Sequence, residues 1–337
     1  MKEHNRISGG EEYKVKVLVT GGAGYLGSTL IPVLLQAGYQ VRAVDSLLYG
    51  GNSLLSVWSH PGFEFLPGDI RDEQLLSRAL SGVDHVVHLA AIVGDPACAR
   101  QSKLARQVNL EASLSLLELS RQIEVKSFIF ASTCSNYGRM KASMEYVDEL
   151  SPLKPLSLYA ESKVAVEKMI LESFRSKEFP ATILRFATLY GVSPRMRFDL
   201  TVNEFTMELV LKKHLVVFGE QFWRPYLHVR DAARAILLIL QTNEKEKIHG
   251  EVFNVGSTSE NYQKKELVNL ILAIVPDAVV EVVHRDEDPR DYRVSFEKIS
   301  SVLGFQVTVT VKSGICQIAK LLNSGVIADF SDPSYRN

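Results

Sequence analysis

The sequence predicts an α/β fold, a doubly wound parallel sheet with helices on both faces and a smaller mixed α/β lobe interleaved with it. Three observations carry this expectation. From Lys14 to about Gly191, short β-rich runs alternate with helical stretches, the pattern of a parallel sheet. The first run, Val15 to Thr20, leads straight into Gly21-Gly-Ala-Gly-Tyr-Leu-Gly27 and a helical pattern of Leu26, Leu30, Val33 and Leu34. Beyond Gly191 the alternation breaks, and no repeat or low-complexity linker marks off the remaining residues.

Each element has its own signal. Strands are expected at 15–20 (apolar but for one Lys), 40–45 (Gln-Val-Arg-Ala-Val-Asp), 63–66, 84–89, 126–132 and 181–186. Helical patterns lie between them near 25–37, 72–80, 101–122 and 157–176. Pro32 is an anomaly in the first helix, because an interior proline removes a hydrogen bond or kinks the axis. Residues 193–199 read as a loop, 203–213 as a helix and 215–218 as a strand. A strand or turn from Tyr226, a helix from Asp231 and a strand at 252–255 return to the first lobe. Helices at 263–275, 296–303 and 311–323, with a strand at 278–283, complete the second. The expected division is 13–191 plus 226–256 for the first lobe and 192–225 plus 257–325 for the second. Residues 1–12 are expected to form a disordered extension and 326–337 a tail.

Composition excludes several function classes. The 337 residues are 46% hydrophobic and 23% charged, with a net charge of −1, which points to neither a nucleic-acid nor a membrane-surface partner. No apolar run approaches the roughly 18 residues that span a bilayer. Met1 to Glu12 carries no apolar signal-peptide core. Cys98, Cys134 and Cys316 are odd in number and widely spaced. That spacing argues against a disulfide framework and against a metal site, and leads us to expect a cytoplasmic protein.

The chemistry starts at the glycine turn. Gly21, Gly24 and Gly27 let the backbone approach a pyrophosphate closely and aim the free N–H groups of a helix N-terminus at it. Asp45, ending the second strand, is placed to hold the adenosine ribose by its hydroxyls. Arg42 lies three residues earlier, inside the strand, whereas Ser46 and Leu47 follow Asp45 where an arginine for a 2′-phosphate is expected. NAD is therefore the expected cofactor rather than NADP. Tyr159 and Lys163, four apart, share one helix face. A tyrosine is a poor base with an ordinary pKa of about 10. A nearby lysine cation and the positive ring of an oxidised nicotinamide favour its phenolate. Ala131-Ser-Thr-Cys-Ser-Asn-Tyr-Gly138 brings hydroxyls to the carboxyl end of the sheet, where doubly wound folds bind ligands. His85, His88, His228 and Cys98 read as structural groups.

With these residues in view, the chain resembles the extended short-chain dehydrogenase/reductase family, in its NAD-dependent nucleotide-sugar epimerase/dehydratase branch. The matching motifs are Thr20-Gly-Gly-Ala-Gly-Tyr-Leu-Gly27, Gly68-Asp-Ile70, His88-Leu-Ala-Ala91, Ser132-Thr-Cys-Ser-Asn-Tyr-Gly138, Tyr159-x-x-x-Lys163, Arg185-Phe-Ala-Thr-Leu-Tyr-Gly191 and Arg224-Pro-Tyr-Leu-His-Val-x-Asp231. They fall in the family's order and cover roughly residues 14–325. Ser193-Pro-Arg-Met-Arg and Glu287-Asp-Pro-Arg-Asp-Tyr292 resemble a subgroup that includes GDP-heptose 4-dehydrogenases and sugar epimerases.

The resemblance implies a Rossmann lobe for NAD and a smaller nucleotide-sugar lobe. It implies catalytic roles for Thr133, Tyr159 and Lys163, the lysine also holding the nicotinamide ribose. It places Asp69 and Ile70 at the adenine, and Leu89, Ala90 and Ala91 along the cofactor. Further cofactor contacts are implied at Tyr25, Leu26, Asn109 and Phe186. For the substrate it implies Cys134, Ser135, Asn203, Arg224 and Arg290, with Arg195 and Arg197 as further candidates; an arginine fork suits a diphosphate. The implied reaction is 4-epimerisation by transient oxidation. The alternatives are a net 4-dehydrogenase or 4-keto-sugar reductase and, more remotely, a non-catalytic dinucleotide sensor. Dehydratases of the family follow the catalytic threonine with Asp-Glu, where this chain has Cys134 and Ser135, so elimination of water is not expected. Leu114, Leu117, Val164 and Met169 give the 101–122 and 157–176 helices apolar residues beyond one stripe. In relatives these helices pair across a two-fold axis, which implies a homodimer.

Overall fold

The computed structural model describes residues 15–140, 145–177, 179–285 and 291–337. The extension at 1–12 and Arg290 lie outside them.

Twelve strands run in chain order among these residues: β1 Lys16–Thr20, β2 Gln40–Asp45, β3 Phe63–Pro67, β4 His85–His88, β5 Ser127–Thr133, β6 Ala181–Phe186, β7 Thr188–Tyr190, β8 His214–Phe218, β9 Trp223–His228, β10 Glu251–Val255, β11 Asn261–Gln263 and β12 Val279–Val283. Seven form one sheet in the order β10-β6-β5-β4-β1-β2-β3, every neighbouring pair parallel. Every residue of β4 and β6 is buried, which is why these segments read as runs rather than alternations. The chain leaves β1 for β2 on one side and resumes at β4 on the other. A crevice therefore opens past the carboxyl ends of β1 and β4. Smaller sheets, β11-β9-β7 and β12-β8, lie outside the main one.

The helices that bear on the site are α1 Gly27–Gln36, α2 Glu73–Leu80, α3 Asp95–Arg100, α4 Ser102–Arg106, α5 Ser113–Gln122, α6 Leu158–Lys177, α7 Thr201–Met207, α8 Val229–Gln241, α9 Lys264–Leu272, α10 Glu297–Leu303 and α11 Val311–Asn323. Asp72 caps α2 by accepting from the amides of Gln74 and Leu75, satisfying donors that a helix start leaves open. Helix α1 runs through Pro32 without a break. One face of the main sheet packs Leu30, Ile31 and Leu34 of α1 with Ile236 of α8. The other packs Leu76, Leu116, Val166 and Ile170 of α2, α5 and α6. A third cluster joins Leu267, Ile315 and Phe198 around α7, α9 and α11.

Two segments differ from the sequence expectation. The helix expected over 101–122 runs without interruption from Ser102 to Gln122 but is not α-helical throughout. Gln101 caps its start outside helical geometry (φ −125°, ψ 49°), and 107–112 widens into a π turn. The Ser113 hydroxyl donates to the Asn109 carbonyl at 2.9 Å and lies 2.9 Å from His88 Nε2, so a side chain competes with the helical ladder. The segment 326–337, expected as a tail, is seated on the third cluster. Phe330 and Tyr335 set their rings edge-on to Phe198, with centroids 5.5 and 5.7 Å away, and Asn337 reaches the central cavity.

Candidate active site

The glycine turn closes on the strands beside it. The Gly21 amide donates to Val44 O at 2.8 Å, and Gly21 adopts φ +75°. A Cβ there would stand 2.7 Å from Ala90 N, and one at Gly27 would stand 2.2 Å from Gly21 O, so neither position has room for a side chain. Asp45 accepts from the amides of Ala23 (3.0 Å) and Leu47 (2.8 Å). Burial raises its carboxyl pKa while those amides oppose the shift. Past the turn lies a cavity of about 510 Å³. Gly21, Gly24, Tyr25, Leu26, Gly27, Asp45, Asp69, Ile70, Leu89, Ala90, Ala91 and Phe186 line it, as expected of a dinucleotide cradle. Asp69 is ion-paired to Arg71 at 2.8 Å, which holds its carboxyl below the usual range.

The same cavity is lined by Thr133, Ser135, Tyr159, Lys163, Arg195 and Tyr292. Thr133 Oγ1 accepts from the Ser135 amide at 3.1 Å, and Ser135 Oγ lies 3.4 Å from Tyr292 Oη. Lys163 Nζ donates to Ala131 O at 2.7 Å and sits 4.5 Å from the Phe130 ring centroid and 5.9 Å from that of Tyr159. Burial pulls the Lys163 pKa down to about 8, with Glu167 opposing. The expected lowering of the Tyr159 pKa by the lysine does not govern the protein alone. Burial holds the phenol above its ordinary value, and the opposing cation is Arg197.

Behind this end of the cavity is a buried polar cluster that the sequence reading missed. Glu167 receives Arg185 Nη2 at 2.7 Å, Asn136 Nδ2 at 2.9 Å and the Ser132 hydroxyl. The available signal was its spacing, four residues past Lys163 on the same helix face. Tyr49 and Tyr292 also line the cavity; Tyr292 ends a motif that carried the subgroup resemblance, whereas nothing in the sequence context of Tyr49 marks it for a role.

Four expected site residues lie outside the lining. The Asn109 amide is spent on the Ile92 backbone, 2.8 Å from its N and 2.9 Å from its O, so it braces the wall. Cys134 is turned into the core, where its thiol donates to Arg185 O at 3.2 Å and burial pushes its pKa well up. Asn203 accepts from Gly191 N at 2.9 Å and donates to Arg197 O and Tyr25 Oη, which exhausts its amide inside the protein. Arg224 lines a second cavity, of about 480 Å³, with Lys264, Phe205 and Phe218.

Residues 17–256 match the family described as the NAD dependent epimerase/dehydratase family. The chain belongs to that family. It is 29% identical to the UDP-glucose 4-epimerase of Halalkalibacterium halodurans, over 86% of this chain and 90% of the relative. It is 30% identical to a dTDP-glucose 4,6-dehydratase of Streptomyces griseus, over 89% and 91%. The solved UDP-glucuronic acid 4-epimerase of Bacillus cereus, in complex with UDP-glucuronic acid and NAD, superposes with a TM-score of 0.82 at 26% identity, covering 92% of this chain and 99% of that one. As a family member this is an NAD-dependent enzyme. Among the described residues no helix is long and apolar enough to cross a membrane, and no group of three or more His, Cys, Asp or Glu could hold a metal ion.

Arg42, the one residue that complicated the cofactor expectation, is spent elsewhere. Its guanidinium pairs with Glu64 at 2.9 Å and donates to the carbonyls of Ala79 and Ser81 at 2.7 Å each, closing the end of α2. Discrimination against a 2′-phosphate then falls to Asp45. Asp45→Ala is expected to narrow the preference for NADH over NADPH by about tenfold or more, the effect of ~1.4 kcal/mol. Fluorescence titration of the two nucleotides reads this directly, and an unchanged ratio would refute it.

Proposed function

We propose that the protein is a nucleotide-sugar 4-epimerase that oxidises the hexose transiently at C4. One observation carries this reading. Thr133, Tyr159 and Lys163 line the cavity together with the glycine turn, while positions 134 and 135, carboxylates in the dehydratases it resembles, are here a buried thiol and a serine. The carboxylates among the described lining residues are Asp45 and Asp69, both at the adenosine end. Tyr159 takes the C4 hydroxyl proton and later returns it, and Thr133 hydrogen-bonds the same oxygen. Lys163 holds the ribose next to the reacting carbon and keeps a cation beside the phenolate. NAD, held by the glycine turn, Asp45 and the Leu89–Ala91 wall, supplies the hydride acceptor and donor. We assign the substrate's nucleotide diphosphate to the second cavity on the strength of Arg224 and Lys264, which line it together with the carboxylates Glu204 and Glu208; Thr188 lines both cavities. Of the residues that suggested a dimer face, Leu117 and Val164 are buried within the subunit, and half-exposed Met169 on α6 (43%) remains in support of a second copy docking there as a two-fold dimer. The free cysteines support a reducing, cytoplasmic setting.

Incubation with UDP-, dTDP-, GDP- and CDP-hexoses, read by NMR and mass, tests the reading. The expected product is the 4-epimer, equal in mass to its substrate, with no net change in NADH absorbance. Stoichiometric NADH formation would make the protein a net dehydrogenase instead.

A further inference from the structure

We propose that Arg195 is the counter-ion for the pyrophosphate of the bound dinucleotide, reaching onto the glycine turn from the loop after β7. The resemblance placed this arginine with the substrate; the geometry points to the cofactor. Arg195 shares the cavity with Gly24, Gly27, Asp45 and Tyr49, whereas the second cavity, with Arg224 and Lys264, does not include it.

Its position is fixed by bonds between the two segments. Tyr25 Oη donates to Gly191 O at 2.6 Å, Ser193 Oγ donates to Tyr25 O at 2.7 Å, and the Arg195 amide donates to Ser28 Oγ at 3.4 Å. The residue is 6% exposed. Its guanidinium lies 4.2 Å from the centroid of the Tyr49 ring. Nη2 donates to Arg336 O at 3.1 Å, and Nε has no hydrogen-bond partner among the described residues. The nearest carboxylate on its loop, Asp199, is taken by Arg197 at 2.5 Å. Burial, with Arg197 as a like-charged neighbour, draws the Arg195 pKa down to about 10, against the opposing pull of Asp199, Tyr49 and, across the cavity, Asp45.

A buried cation is costly until an anion arrives. The ten-residue helix α1 directs its N-terminus, and the amides of the glycine turn, at the same space. An anion there completes both groups, and the dinucleotide places its pyrophosphate over that turn. Stacking on Tyr49 holds the fork flat, the arrangement that favours arginine over lysine. The inference depends on the family's cofactor, not on the epimerase reading, and binding alone tests it.

The test compares Arg195→Ala and Arg195→Lys with the parent, each freed of retained cofactor, by calorimetric titration with NAD, ADP, adenosine and UDP. Arg195→Ala is expected to weaken NAD and ADP by about 10- to 100-fold, the loss of a charge-assisted hydrogen bond, with adenosine and UDP unchanged. Arg195→Lys should recover part of the loss, because it keeps the charge without the fork. Weakened UDP with intact ADP would return Arg195 to the substrate and overturn the assignment. An equal loss for adenosine and ADP would show a purely structural role. Thermal melts identify a variant that does not fold. If Arg195→Ala does not, the lysine variant decides: selective weakening of ADP over adenosine supports the assignment, and unchanged ADP affinity overturns it.

Discussion

Replacing Glu167 with alanine is expected to destabilise the fold by about 3–5 kcal/mol, because it strands a buried cation. Glu167 is 1% exposed and Arg185 4%. Two guanidinium nitrogens of Arg185 reach the carboxylate, at 2.7 Å from Nη2 and 3.1 Å from Nε, while Nη1 donates to Tyr137 Oη at 3.0 Å. The pair formed at the cost of removing both charges from water, so its net contribution is small. Loss of one partner leaves that cost without the attraction that offset it. Glu167→Gln keeps shape and an acceptor and should lose less. Joint replacement by apolar residues of similar volume, Glu167→Leu with Arg185→Met, should recover most of the loss. Urea melts of the three variants measure this. A Glu167→Ala midpoint indistinguishable from the parent's would mean that water reaches Arg185 and the cluster is not sealed. The site would also feel the change: Ser132 adjoins Thr133, and Lys163 stands one turn before Glu167 on α6.

The parts of the site legible in the sequence were those whose function is set by neighbours along the chain. The glycine turn follows its strand directly, Asp45 ends the next one, and Tyr159 and Lys163 share a helix face through spacing alone. Each calls for a particular residue type at a fixed local offset, and the structure places each on the cavity. The parallel sheet was legible for a related reason, since strands buried on both faces leave unbroken apolar runs. What escaped depends on contacts between distant segments. Nothing near Asn203 in sequence shows that Gly191 and Tyr25 will use its amide. Cys134 and Ser135 are adjacent, yet the backbone after β5 turns one into the core and the other into the cleft. The π turn between α4 and α5 escaped because it goes with a contact between Ser113 and His88 of β4, distant in sequence. The last residues read as a tail because they end in the polar run Ser-Asp-Pro-Ser-Tyr-Arg-Asn; the partner of Phe330 and Tyr335, Phe198, lies more than a hundred residues upstream.

Tyr159→Phe is expected to slow hydride transfer by about 10²- to 10⁴-fold, the usual worth of a positioned general base, with the fold intact. The variant deletes one oxygen and keeps the ring that packs in the second cluster. Burial holds the Tyr159 phenol above its ordinary pKa in the protein alone. Its basic form is therefore scarce near neutral pH, and the parent's rate should rise with pH as more phenolate forms. Arg197 opposes that burial in the protein alone, and the cationic ring of oxidised nicotinamide, when bound, adds to its effect. Thr133→Ala should cost less, because it removes a hydrogen bond to the sugar oxygen but leaves the base. Elimination of water should be absent in parent and variants alike. It needs an acid at one carbon and a base at the next, and the Cys134 thiol, with its pKa driven up and its hydrogen committed to Arg185 O, can serve as neither. Single-turnover appearance of NADH measures the oxidation step, and product mass measures elimination. A Tyr159→Phe rate within a factor of a few of the parent's would remove the phenol from the mechanism. A product lighter by one water would replace the epimerase reading with a dehydratase whose acid and base come from other residues.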